Sequence, residues 1–516
     1  MSETLSESKK EGIRSPAITV VGIRKSFGSV RVLDDVSMGI VAGSIHALVG
    51  ENGAGKTTLM KILFGQYQPD EGYIAIDGKS VKIRSPRHAL NFGLGMVHQH
   101  FMLTENLDPV ENSVLGVEDR WSKPRHFPLP TRIIDRSHLF TRIKDLAETL
   151  KMPLPWDEPL SAWSVGQKQR LEILRLVLQE ARILILDEPT AVLTPQEVKD
   201  FFANIRHLKE QGKTIVIVTH KLQEVMDLAD NVTVLKHGRI ALDCATSATN
   251  ASTLATTMIG RPPAPPHPWQ KRSPGTIVMD VSGLHLKGHP IDLRLHQGEI
   301  VGIAGVEGNG QDALLTGLLN PKDAKLNGLT FAGQPCHQYT AKQMRQLGLG
   351  VIPHDRQKQG LILGQTLLQN FLLGQQNDQN TQGWGLIRRK NLRSRAERAL
   401  IEFDVRPANL DANAESMSGG NQQKWIVARE LSRQPKLLLA AHPTRGVDIG
   451  AIESLHKHFV SARDQGLAIL LFSSDLDELM TISDRLYVLF RGCFVLHLHH
   501  HEFDREKIGK AMGGLV

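Results

Sequence analysis

The chain has 516 residues, of which 41% are hydrophobic and 22% charged, and it carries a formal net charge of +7. That length is more than one ordinary core, and the composition excludes disordered, fibrous and collagen-like chains. The basic balance suits an anionic ligand or membrane surface no better than a plain solvated surface. Cys244, Cys336 and Cys493 lie far apart, which argues against a disulfide framework and fits a reducing compartment.

Residues 1–16 are polar and charged and read as a disordered tail, with no signal peptide expected. A first domain is expected over residues 17–260. Within it, SIHALVG, ILILDEPT and TIVIVTH read as buried strands, each ending at a polar motif. Helical stretches between them, such as 167–179, imply crossovers and a mainly parallel sheet, whose ligands sit at the carboxyl ends of the strands. No apolar run, 183–186 and 468–472 included, approaches the roughly 18 residues that span a bilayer.

The first strand runs into Gly50-Glu51-Asn52-Gly53-Ala54-Gly55-Lys56-Thr57-Thr58, a phosphate-binding loop pattern. Its glycines let backbone N–H groups point at phosphate oxygens, and the next helix presents its positive end. Lys56 would reach the β- and γ-phosphates of ATP, and Thr57 would offer an oxygen to Mg²⁺. The strand 183–187 delivers Asp187 to the metal side, and Glu188 beside it is placed to orient and polarise an attacking water. Between the two, Ser164-Val165-Gly166-Gln167 opens a helix. A serine there is an N-cap, and such a helix start is also a phosphate platform.

Residues 261–275, RPPAPPHPWQKRSPG, hold six prolines and read as an extended linker. The remainder, 276–516, repeats the plan. Gly305 echoes Gly50 at an offset of 255, and Ser418 echoes Ser164 and Pro443 echoes Pro189 at 254. A near-constant offset across three separated motifs marks a duplication.

A phosphate loop, a Ser-Gly-x-Gln helix and an Asp-Glu-Pro-Thr strand, in that order, resemble the ATP-binding-cassette ATPases over nearly the whole chain. The fold so implied is α/β: two tandem P-loop NTPase (ABC ATPase) domains, each a mainly parallel sheet with flanking helices and a helical signature subdomain. The resemblance also implies roles at matching positions. Phe27 would stack on adenine. Gln99 would touch Mg²⁺ and the water from a loop that meets the membrane partner, and His220 would contact the γ-phosphate. Thr194 stands where the family has an Asp, so no role is carried over there.

The second copy departs where chemistry needs it. Gln311 and Asp312 stand at the positions of Lys56 and Thr57, Ala441 and His442 at those of Asp187 and Glu188, and Ser474 at that of His220. An amide supplies no positive charge and an added carboxylate repels phosphate. In the family two cassettes close head to tail. The intact loop of the first half would therefore face Ser418, Gly419, Gly420 and Asn421 of the second, giving one hydrolytic and one structural or regulatory site.

A complete cassette fused to a degenerate one, with SGGNQQK and PTRGVD in the second, resembles the importer ATPases for ribose, galactose and nucleosides. GMVHQHFML and AAHPTRGVDIGA lie nearest the nucleoside systems that use a lipoprotein receptor. His354-Asp355-Arg356 departs from the Glu-Asp-Arg usual there, and His442 from the usual Gln. The resemblance implies two separate transmembrane permease subunits, an extracytoplasmic substrate-binding lipoprotein, no nucleic acid, and a place on the cytoplasmic face of the inner membrane. The alternative is a soluble twin-cassette ATPase acting on ribosomes or nucleic acid. A metal role for His497-Leu498-His499-His500-His501 has no completing ligand spacing.

Overall fold

The computed structural model describes residues 16–28, 30–98, 102–104, 106–116, 118, 122–125, 131–190, 193–262, 269, 274–286, 288–306, 308–324, 328–376, 381–383 and 386–515. Gln99, the tail up to residue 15 and most of the linker lie outside them. The chain divides into two compact units, Met1–Leu193 with Glu197–Pro263, and Thr194–Gln196 with Ala264–Val516.

The three apolar runs of the first unit form the strands Ile45–Val49, Ile183–Asp187 and Thr214–Thr219, every residue of which is buried. Burial on both faces explains runs that do not alternate with polar residues. Ile45, Leu184, Leu186, Ile215 and Ile217 enter one apolar cluster, whereas Leu48, Ile183, Ile185, Val216 and Val218 enter another, as strand periodicity requires. The sheet order is Arg239–Ala245, Asn231–Lys236, Ile45–Val49, Thr214–Thr219, Ile183–Asp187, Leu94–Val97. Its five inner-to-edge strands are parallel and Arg239–Ala245 closes the other edge antiparallel.

The second unit has the same order with Cys493–His499, Arg485–Phe490, Ile300–Ala304, Ala468–Ser473, Leu437–Ala441 and Leu349–Ile352. Even irregular features recur. The final hairpin slips register at Val234/Leu235 and again at Val488/Leu489. Asp230 accepts from the Ile45 N–H and Asp484 from the Ile300 N–H, both at 2.8 Å.

Each unit also has a four-stranded antiparallel sheet that the sequence reading missed: Val30–Val41, Pro16–Phe27, Glu71–Ile76, Lys79–Val81 in the first, and its counterpart around Ile277–Leu286 in the second. These strands alternate, as in His289–His296, where Ile291, Leu293 and Leu295 point inward, and so lack the continuous runs that flag a buried strand. The first strand starts at Pro16, one residue inside the expected tail. Trp269, in the linker, stacks on His500 at 4.4 Å and donates to Asp484 at 2.9 Å, so at that point the segment is docked on its own unit. No described helix is long and apolar enough to cross a membrane.

Candidate nucleotide site

The loop after Ile45–Val49 is shaped by glycines with different constraints. A Cβ on Gly50 would lie 2.2 Å from the Leu235 carbonyl oxygen, so only glycine fits. Gly55 is the N-cap of helix Lys56–Leu63 at φ 106, in the left-handed region that favours glycine. Lys56 is 6% exposed, and its Nζ donates to the carbonyls of Gly50 (2.7 Å) and Glu51 (3.0 Å). The ammonium is thus folded into the loop its charge would serve. Thr57, on the first turn, is exposed, and Asn52, Ala54 and Thr58 complete the curl.

Ile183–Asp187 runs parallel to Thr214–Thr219, and this pairing aligns the next motif. Asp187 is 6% exposed. Burial, then the adjacent Glu188, push its carboxyl up to about 6, with Lys56 and Lys61 partly offsetting. Glu188 sits at φ 48, held by its N–H to the Val218 carbonyl at 2.8 Å. Burial pushes its carboxyl up, but the His220 hydrogen bond, His220 charge, Lys56 and Lys221 together bring it below the ordinary value. His220 Nδ1 lies 3.2 Å from Glu188 Oε1. Two side chains 32 residues apart are joined because their strands are neighbours. A buried, charge-costly carboxylate and an exposed threonine hydroxyl are donor types that a hard divalent cation takes.

Phe27 ends its strand 43% exposed, edge-on to Tyr67 at 5.3 Å, with Lys25 Nζ 5.6 Å from its ring centroid. It is a surface aromatic and not the core residue its type suggests.

The ABC transporter family model matches residues 33–191 and 289–445. Guanosine import ATP-binding protein NupO of Bacillus subtilis is 38% identical over 96% of this chain and 97% of its own length. Nucleoside import ATP-binding protein NupA of Lactococcus lactis is 37% identical over 96% and 98%. Glucose import ATP-binding protein TsgD13 of Haloferax volcanii is 36% identical over 97% and 96%. The chain belongs to the ABC transporter family.

Both cassettes keep the ABC backbone. In the second, Gly310 caps its helix at φ 118, His442 occupies the same left-handed position (φ 46), and its N–H meets the Phe472 carbonyl at 2.8 Å. Gln311 Nε2 donates to the Val306 carbonyl at 3.0 Å, reproducing the inward bond of Lys56 without its charge. Burial, then His354 and Arg445, pull His442 down to about 4, which keeps the imidazole neutral near pH 7. The two histidines that depart from the usual pattern meet edge to face at 5.2 Å.

The signature serines both cap helices, Ser164 for Val165–Leu178 and Ser418 for Gly419–Leu431. Asn421 Nδ2 donates to Ser418 Oγ at 2.9 Å, and its Oδ1 accepts from the Arg406 N–H. A Cβ on Gly419 would lie 2.6 Å from Arg356 Nη2, and one on Gly420 would lie 2.8 Å from Asp448 Oδ2.

Four supporting residues escaped the sequence reading. Asn112, fully buried, takes the Thr104 N–H on Oδ1 and donates from Nδ2 to the carbonyls of Thr104, Leu107 and Asp108. Asn370 makes the same set to Ile362, Gln365 and Thr366. Each fixes the far end of the loop that follows Leu94–Val97 or Leu349–Ile352. The signal was a polar residue repeated in VENSV and LQNFL. Gln169 donates to the Pro189 carbonyl at 2.7 Å, bracing Asp187-Glu188 from the signature helix, and Glu197 accepts from Ser164.

Proposed function

We propose that this chain is the ATP-hydrolysing subunit of an importer for a nucleoside, with simple sugars the nearest other class of cargo. The observation that carries the reading is the end-to-end match to two nucleoside or guanosine import ATP-binding proteins, in a chain whose catalytic side chains are complete in one cassette alone. Sugar import enters through the glucose relative and a ribose import protein of Rubrobacter xylanophilus, 33% identical over 97% of this chain.

In this reading Gly50 to Thr58 hold the triphosphate, with Lys56 leaving its carbonyl partners to reach the β- and γ-phosphates. Thr57, Asp187 and Gln99 would hold Mg²⁺, which would supply charge neutralisation to the triphosphate. Glu188, ionised and hydrogen-bonded to His220, orients the attacking water and accepts its proton, while His220 faces the γ-phosphate. Phe27 provides the adenine platform. The two cassettes close head to tail, so that Ser418, Gly419, Gly420 and Asn421 complete the hydrolytic site. The degenerate site turns nothing over. Closure then drives two permease subunits docked on the loops after Leu94–Val97 and Leu349–Ile352 at the cytoplasmic face, with a lipoprotein receptor delivering cargo from outside. The domains so used are 17–260 and 276–516, joined by 261–275.

Uptake of labelled guanosine and labelled ribose by cells lacking this chain tests the proposal. Restored guanosine uptake with the wild-type chain, and none with Lys56→Ala, is the expected result. Restoration of neither solute would overturn it.

A further inference from the structure

Two buried side chains grip the loop that follows Leu94–Val97. Asn112 clamps it at Thr104, and Glu172 holds it at Met102, whose N–H donates to Glu172 Oε1 at 2.6 Å. Glu172 stands on the signature helix Val165–Leu178 and is 4% exposed. Burial pushes its carboxyl above the ordinary value, against the Met102 N–H and the charge of Arg175. A carboxylate buried this deeply is costly. Among the described residues, what it binds in return is a loop backbone group.

The second cassette seats the matching loop without a carboxylate. The asparagine clamps fix the correspondence: Asn112 binds Thr104 as Asn370 binds Ile362, so Met102 matches Gly360. At an offset of 254, Ile426 stands in place of Glu172. Its Cδ1 lies 2.5 Å from where a Cβ on Gly360 would be, so the same two positions meet in both cassettes. Arg429 Nη1 adds a bond to the Gly360 carbonyl at 2.8 Å. The fold can therefore seat this loop with an apolar contact and a cation. The cassette that keeps Lys56, Asp187, Glu188 and His220 uses a carboxylate aimed at the loop backbone instead.

Four residues lie between Val97 and Met102, Gln99 among them. Val97 pairs with Leu186, the residue before Asp187. The segment that carries Gln99 is thus anchored at one end to the strand that delivers Asp187 and at the other to Glu172. We propose that Glu172 is a positioning residue for hydrolysis: by holding the Met102 N–H it fixes the Gln99 loop to the signature helix of its own cassette. This rests on the role given to Gln99 above and deepens it. A reacting group misplaced by about 1 Å can cost on the order of 10²-fold in rate, and releasing one end of so short a segment permits such a shift.

The test is hydrogen exchange at the Met102 amide, together with Mg²⁺-dependent hydrolysis, on the full chain. Turnover is expressed per ATP-binding site titrated, so that unfolded protein does not count. Glu172→Leu removes the acceptor and puts an apolar side chain of similar size in a buried place. It is expected to speed exchange of this amide about tenfold or more and to lower kcat about tenfold or more. ATP affinity should stay within about twofold, since Gly50 to Thr58 are untouched. Glu172→Gln offers an amide oxygen at the same place and is expected to return both protection and turnover to within about threefold of wild type. Should leucine not fold, Glu172→Met makes the same comparison. Unchanged exchange at Met102 overturns the proposal, and so does fast exchange with wild-type turnover. Gln99→Ala separates the two readings: full hydrolysis in that variant sinks the catalytic role of the loop itself, whereas lost hydrolysis there with full hydrolysis in Glu172→Leu sinks the inference alone.

Discussion

At the scale of single residues the first cassette holds a carboxylate that its own fold disfavours. Asp187 is raised from 3.8 to about 6, so between those values the folded chain keeps a proton that the unfolded chain has released. Stability of the nucleotide-free cassette therefore falls as pH climbs through that window, by on the order of 2–3 kcal/mol in all. Asp187→Asn is expected to raise its melting temperature by several degrees at pH 7.5, a gain that vanishes below about pH 4, while Mg²⁺-dependent hydrolysis is lost. Calorimetry across pH 4 to 8 checks the sign, and an unchanged melting temperature at pH 7.5 would contradict it. Glu188 is the reverse case, held below its ordinary value by His220 and nearby lysines against its own burial. Glu188→Gln keeps the size and removes the carboxylate proposed to accept the water's proton. Its expected effect is a fall in turnover of ~10²–10⁴ with ATP affinity kept.

At the scale of elements, two loops show how backbone needs dictate residue type. Gly50 and Gly53 belong to one phosphate loop, yet a Cβ on Gly50 meets the Leu235 carbonyl oxygen at 2.2 Å and one on Gly53 meets nothing within 4 Å. Gly50→Ala should abolish nucleotide binding. Gly53→Ala should cost only the left-handed strain of its φ of 83, about 1–2 kcal/mol. Titration with a fluorescent ATP analogue separates them, and equal losses would refute the geometric account. The asparagine clamps work on the other loop. Asn112→Ala would remove the side-chain acceptor of the Thr104 N–H and one donor from each of the carbonyls of Thr104, Leu107 and Asp108, at a cost of about 1–3 kcal/mol, and Asn370→Ala should do the same to the second cassette. The repeated asparagine was visible in the sequence, but its role was not, because a buried amide and a helix-surface amide look alike until the loop folds around one of them.

At the scale of the whole molecule, the duplication preserved architecture and released chemistry. The second cassette keeps the sheet order, the left-handed residue after Leu437–Ala441 and the inward bond of Gln311. It has no counterpart of Lys56, Asp187, Glu188 or His220, with Gln311, Ala441, His442 and Ser474 in their places. Hydrolysis measured on Lys56→Ala and Gln311→Ala should accordingly differ, with the first inactive and the second within about twofold of wild type. Equal losses would mean that both cassettes turn over ATP. Gln311→Ala is expected to affect the stability of the second loop instead, since the Val306 carbonyl is left with the Asn309 N–H as its donor.

The sequence alone determined the duplication, the parallel sheets and the place of each motif at a strand end, because fully buried parallel strands write continuous apolar runs and phosphate loops demand glycines at fixed spacing. It also sufficed for the family, through motif order. The antiparallel sheets were not legible, since their alternating strands look like loops with scattered apolar residues. Nor were the pairings that tune the site: His220 with Glu188 across 32 residues, Glu197 with Ser164 across 33, and Arg356 beside Gly419. Sequence spacing along one element says which face a side chain takes. Only strand order and helix packing decide which distant charge lies opposite, and that opposite charge sets whether a carboxylate is ionised or a serine proton is available.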